Sequence, residues 1–376
     1  MKRLSFLLIA ATTLAAFGYS DKGGLITMTT SAETVSFMLQ GSEIATVDWG
    51  DGSEIETKKL VGRVWFKRAY SDTVPRTITI IGENITELYC GESQLTALDV
   101  SRNMALTELN CGGNPLTTLD VSKNTALTLL ACWDNQLTAL NVSRNTALTD
   151  LNCVSNQLTA LDVSKNTALK ELNCNNNQLT ALDVSKNTAL TSLECMYSQL
   201  TKLDVSKNTA LTRLNCSHNQ LTALDVSKNT ALTNLSCDYN PLIALDVSKN
   251  TALTGLVCNH NQLTELDVSR NAVLENLFCN YNQLTSLDVS QNTALSWFMC
   301  GYNQLTADAL NALFSTLSDK IITRSTMVVV RKSGQEDKQS EQSKQSEATK
   351  SIDIVNNPGS ADCDRSIAER KGWRVE

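Results

Sequence analysis

The chain has 376 residues, with 32 Lys and Arg against 39 Asp and Glu, a formal net charge of −7, two His, four Pro and twelve Cys. That length holds two or three domains and excludes a small scaffold held only by disulfides. The acidic balance, without any Lys/Arg cluster, lacks the basic stripe a nucleic-acid backbone requires, so no nucleic-acid partner is expected.

Met1, Lys2 and Arg3 lead into an apolar stretch from Leu4 to about Phe17, followed by small residues and Asp21. A charged head, short apolar body and small-residue exit make residues 1–20 a signal peptide, with cleavage after Gly18 or Ser20. The stretch is shorter than the ~20 residues of a helical span, so no transmembrane span is expected after cleavage. No Cys stands near the exit to carry a lipid. The expected localisation is secreted, periplasmic or at a bacterial cell surface.

Residues 23–84 do not repeat. Leu25–Thr29 and Thr77–Ile81 read as strands, and Asp48-Trp49-Gly50-Asp51-Gly52 carries the Asp-Gly turn signal. Short strands between turns imply a small β-sandwich, expected to cover the open end of whatever follows.

From Cys90 to Cys300, eleven cysteines recur every 21 residues. An exported chain rich in Cys suggests disulfides, but the period says otherwise. Leu106-Thr107-Glu108-Leu109-Asn110-Cys111-Gly112-Gly113-Asn114-Pro115-Leu116 matches L-x-x-L-x-C-x-x-N-x-L, the pattern of a leucine-rich-repeat solenoid with one short strand per turn. Eleven such repeats are expected over residues 85–306 of a right-handed solenoid, its parallel sheet on the concave face. Leu106, Leu109, Cys111, Leu116, Leu119 and Val121, with their equivalents, should point inward. The column Asn114, Asn135, Asn156 and onward should bond backbone where the chain leaves the strand, weakened where Ser93 and Ser198 replace it. In-register side chains sit too far apart for good bridges, so the cysteines are expected to be a buried ladder of free thiols. Asp120, Ser122 and Asn124 are expected on the convex side, in turns they stabilise themselves. Calcium is disfavoured because the glycine-rich nonapeptide of β-rolls is absent, and neither cofactor nor metal is expected.

After Thr306, Leu310, Leu313, Phe314 and Leu317 follow helical spacing. Met327–Val330 and Ile352–Val355 read as strands around a polar Ser/Gln/Glu/Lys tract at 332–350, expected to be disordered. Residues 307–376 would thus form an α/β cap, with Cys363 off the ladder.

The whole resembles the internalin-like leucine-rich-repeat proteins of bacterial surfaces. The 21-residue repeat with Cys in a Leu slot looks most like the internalin J branch, and the W-G-D-G element with Tyr70-Ser71 resembles a polycystic-kidney-disease-like domain. The resemblance implies a non-enzymatic adhesin or interaction protein holding a protein or glycan ligand, possibly of a host, on its concave face. Two departures stand out: no cell-wall sorting motif follows the repeats, and the C-terminal cap is not the family's usual array. The residue two after each Cys becomes aromatic or His late in the chain, as Tyr197, His218, Tyr239, His260, Tyr281 and Tyr302, with Phe278, Trp297 and Met299 in neighbouring columns. This stripe is the expected ligand site of a monomer, since exposed aromatics offer large contact area with a polar handle. Catalysis is not expected, because a column repeated every turn is a poor way to gather one active site. The rival reading is a structural envelope protein without a specific ligand.

Overall fold

The computed structural model describes residues 24–319 and 350–376. The expected signal peptide at 1–20, the strand at Met327–Val330 and the disordered tract up to 349 lie outside the described residues. Lys350 is described, and it opens a strand. Two units pack internally, Met1–Leu200 and Thr201–Glu376.

The first unit begins with β1 (Gly24–Thr30), β2 (Thr34–Gly41), β3 (Ile44–Asp48), β4 (Glu56–Lys59), β5 (Val64–Ala69), β6 (Arg76–Gly82), β7 (Ile85–Tyr89) and β8 (Leu95–Asp99). Alternation drives them: Ile78 and Ile80 of β6 are buried while Thr77 is exposed and Thr79 half-buried, the period of two expected of a half-buried strand. One antiparallel sheet runs β4-β3-β6-β1-β8. The other strands, in the order β5-β2-β7, continue directly into the sheet of the repeats, because β7 pairs parallel with Glu108–Asn110. The Asp48–Gly52 turn folds Trp49 into the core, where its ring lies 5.5 Å from Phe37 and its Nε1 donates to Glu56 Oε2 at 3.0 Å. Gly50 is required there: at φ +68, a Cβ would stand 2.3 Å from Thr77 O.

The repeats of this unit supply three-residue strands β9 (Glu108–Asn110), β10 (Leu129–Ala131), β11 (Asp150–Asn152), β12 (Glu171–Asn173) and β13 (Ser192–Glu194). Neighbours pair in parallel at a shift of one repeat, so Leu109, Leu130, Leu151, Leu172 and Leu193 stack. The inward columns are as expected: Leu106, Leu109, Cys111, Leu116 and Val121 are wholly buried and Leu119 nearly so. Burying each such side chain stabilises by about 1.5–3 kcal/mol, and no repeat has another place to bury it.

Two asparagine columns hold the backbone. Asn156 Nδ2 donates to Cys132 O, Cys153 O and Val154 O, and its Oδ1 accepts from Leu137 N at 3.0 Å. The second column corrects the expectation of a convex-side Asn124. That residue is fully buried, its Nδ2 donating to Val100 O at 2.9 Å and Asn103 O at 2.8 Å, because the turn after Val100 leaves carbonyls facing inward. Asp120 does face solvent, its Oδ1 accepting from Ser122 N at 2.9 Å.

The second unit repeats the plan in β14 (Arg213–Asn215), β15 (Asn234–Ser236), β16 (Gly255–Val257), β17 (Asn276–Phe278) and β18 (Trp297–Met299). The expected helix is α1 (Ala307–Thr316), with Leu310, Leu313 and Phe314 buried and Thr306 Oγ1 capping Ala309 N. The sheet then gains two rungs, β19 (Lys350–Asp353) and β20 (Trp373–Val375), beside the short α2 (Ser366–Glu369). The first is a degenerate repeat: Ile352 and Ile354 take the Leu and Cys slots, and Asn357 Nδ2 donates to Cys300 O at 3.0 Å. Lys371 Nζ donates to Ser315 O and Leu317 O, and Trp373 Nε1 to Ser318 O, closing the carbonyl end of α1.

The ladder holds at Ser93, whose Oγ reaches Gly91 O and also Ser36 O of β2. At Ser198 it fails, leaving a buried hydroxyl without a partner. Replacing Asn156 with Ala should therefore destabilise by about 3 kcal/mol, by orphaning several buried groups. Ser198→Asn should stabilise by roughly 1 kcal/mol through restored bonds. Urea unfolding followed by circular dichroism measures both; equal midpoints for the two variants would refute the ladder.

Candidate functional site

On the solvent face of each sheet, the residues flanking the buried central Leu point outward, as does the residue after Cys. The next residue turns. Glu92, Asp134, Ser155, Asn176, Tyr197, His218, Tyr239, His260, Tyr281 and Tyr302 all have φ between 49° and 55°, and Gly113 has 66°. A left-handed residue at this point ends the strand's alternation and throws the side chain outward. Tyr197, Tyr239, Tyr281 and Tyr302 are accordingly exposed.

That conformation costs a non-Gly residue roughly 1–2 kcal/mol, least for Asn and Asp. The first unit meets it with Gly113, Asp134 and Asn176 but also with Glu92, Ser155 and Tyr197, whereas each such residue of the second is a ring. His218, Tyr239, His260, Tyr281 and Tyr302 stack in one file, centroids 4.0–4.1 Å apart and planes within 15°. Each stacked pair returns about 0.5–1.5 kcal/mol, enough to offset the conformation and little more. Tyr197 belongs to the first unit, on the same column.

Beside the file, on the strand face of the second unit, Phe278 meets Trp297 edge-on at 5.2 Å and 77°. Trp297 is 50% exposed although it stands on a strand. Met299 is in register with Phe278, and Asn280 Nδ2 approaches its Sδ at 3.9 Å. Thus the fold of this unit assembles Phe278, Trp297 and Met299 on one face, with five rings at its margin.

Asp238 is one acid beside these rings. It accepts a short hydrogen bond from Ser217 Oγ and stands 4.0 Å from His218 Nε2. Burial holds the His260 pKa below its ordinary 6.5, against the pull of Asp238 and with a smaller push from His218. The Tyr281 hydroxyl is raised, chiefly by its hydrogen bond with Tyr302.

The ladder cysteines are buried free thiols. Burial pushes Cys90, Cys216 and Cys258 up to about 12. Among the described residues, no group of three His, Cys, Asp or Glu is placed to hold a metal ion.

The left-handed turn was missed in the sequence. Its signal was present in the Gly, Asp and Asn of the first unit's column, the residue types that tolerate positive φ.

Two outcomes follow. Iodoacetamide at pH 8 should label native protein at Cys363 alone and all twelve cysteines after unfolding, as counted by mass spectrometry. Because the folded pKa of His260 is depressed, its contribution to stability is complete above 6.5 and lost as pH falls below it. The thermal midpoint should therefore fall between pH 7.5 and 5.5, and fall less in His260→Asn; equal slopes would show that His260 carries none of the effect.

Similarity to solved structures agrees with this architecture. The functional domain of InlJ from Listeria monocytogenes, described as including a cysteine ladder, is 45% identical, with a TM-score of 0.61 over 64% of this chain and 54% of that one. The chain thus spans about half the length of that structure. A leucine-rich-repeat protein of Leptospira interrogans shares the fold, with 21% identity and a TM-score of 0.58 over 74% of each chain. No family model matches the chain, and no curated protein matches it. With eleven buried cysteines at one position of its 21-residue turn, the chain is a leucine-rich-repeat solenoid similar to that internalin domain.

Proposed function

We propose that the chain is an exported, non-enzymatic binding module, a surface adhesin or interaction protein, and that it holds a polypeptide on the strand face of its second unit. The observation that carries this reading is Trp297, half-exposed on a strand, set against Phe278 and beside Met299. Aromatic and Met anchors of this kind dominate protein interfaces, where a few such side chains supply most of the affinity. The internalin-like fold is one typically used for binding rather than catalysis.

The ring file narrows the ligand class. A sugar packs its ring against an aromatic face, yet rings stacked 4.0 Å apart cover one another's faces and offer their edges. Tyrosine hydroxyls and imidazole nitrogens at those edges are hydrogen-bonding groups suited to a peptide chain. The role in this reading is a rim around the Trp297 anchor, made of Tyr239, Tyr281, Tyr302, His218 and His260.

No helix among the described residues is long and apolar enough to cross a membrane. Export rests on the charged and apolar first twenty residues. In this reading the N-terminal strands cap the first unit, and α1 with residues 350–376 caps the second.

The test is to array extracellular-matrix proteins beside mucin-type and plant glycans and probe them with the full chain. A protein hit weakened at least tenfold by Trp297→Ala, with an unchanged circular-dichroism spectrum, is the expected result. A glycan hit would overturn the ligand class. No hit at all from folded protein would favour the structural envelope role.

A further inference from the structure

Within the ring file of the second unit, the partners of each ring differ. Tyr239 lies between two imidazoles, those of His218 and His260. Tyr281 and Tyr302 follow one another directly, their centroids 4.0 Å apart and their planes 11° from parallel. Their hydroxyls are hydrogen-bonded to each other. Rings that are parallel and share a hydroxyl end are in register, so the carbons ortho to the two hydroxyls also face each other. Tyr302 ends the file, because the next place in the column belongs to Asn356, again at positive φ. Both tyrosines are 39% exposed, which leaves their edges open to small molecules in solvent.

Two phenols held in this way are the substrate of one reaction, oxidative coupling. We infer that Tyr281 and Tyr302 are a site of covalent modification, joined by a peroxide-driven one-electron oxidant into a dityrosine that staples two adjacent turns. Each phenol gives up one electron and its hydroxyl proton. The two phenoxyl radicals share their unpaired electrons with the ortho carbons, and a carbon–carbon bond forms there. Each of those carbons then releases its hydrogen as a proton, and each oxygen regains one from solvent, restoring the phenols. Hydrogen peroxide takes up the two electrons and two protons and leaves as two waters. The protein loses two hydrogen atoms and nothing else.

Proximity selects this pair. Radicals on separate molecules must meet by diffusion, whereas these two rings are already in contact, so coupling within the pair outruns its competitors. Bonding needs each ring to turn about its Cβ–Cγ bond, a motion toward the solvent-exposed edge. The product links positions one repeat apart, and closing that loop removes entropy from the unfolded chain. The inference rests on the ring geometry and stands whether or not Trp297 anchors a partner.

The full chain, its accessible thiol blocked with iodoacetamide, is treated with a haem peroxidase and hydrogen peroxide at two protein concentrations, then digested for mass spectrometry. The expected product is one cross-linked peptide pair, Tyr281 with Tyr302, lighter by two hydrogens and carrying the blue fluorescence of dityrosine. Its yield per chain should be unchanged on dilution and should exceed that of any other tyrosine pair at least roughly tenfold. Tyr281→Phe and Tyr302→Phe should each abolish it, since Phe keeps the stacked ring and removes the phenol. The coupled protein should unfold at higher urea than the untreated one. Comparable coupling through Tyr197 or Tyr239, bonds formed mainly between chains, or a product that survives either Phe variant would overturn the inference. So would an unshifted urea midpoint, or no coupling under conditions that couple N-acetyltyrosine.

Discussion

Everything in each unit depends on closing the backbone where the chain leaves a strand. A turn of 21 residues with only three in the strand bends repeatedly, and bends turn carbonyls and N–H groups inward. The two asparagine columns answer this, each by placing one amide per turn where water is excluded. Asn156 alone bonds to two successive turns. Since an orphaned buried polar group costs about 1–3 kcal/mol, a missing amide is felt more than a trimmed Leu methyl. The ladder therefore fixes the register, and register fixes which side chains share a face.

Fixed register is also what sets the surface columns. Columns one turn apart stay in line, so a residue type repeated at 21 becomes a file on the protein. In the second unit that file is five rings at a left-handed position. Stacking roughly cancels the backbone cost, while Asn would have met it at less cost, as in the first unit. A ring is thus not needed there by the fold. In the first unit the same regularity lines up carboxylates, with Trp133 admitted by Gly112.

The period, the inward columns, the thiol ladder and the helix at Leu310–Leu317 were legible because each is a repeated or periodic apolar pattern. What escaped was polar or singular. Asn124 reads as a turn residue by type, and only its carbonyl partners reveal it as core. Ile352, Ile354 and Asn357 form a further rung with no Cys to mark it. The direction of the Tyr and His side chains depends on a positive φ, to which aromatic residue types give no clue. Continuity of β5-β2-β7 with the repeat sheet is a pairing between unlike segments, which local pattern does not encode.

The central claim is that the second unit's ring file is surface supplied beyond what folding requires. Thermal unfolding of Tyr239→Asn/Tyr281→Asn measures it directly. Loss of stacking and relief of left-handed strain should nearly cancel, leaving the midpoint within about 3 °C of the parent. A midpoint lowered by roughly 10 °C would make the rings a structural ladder and contradict the account.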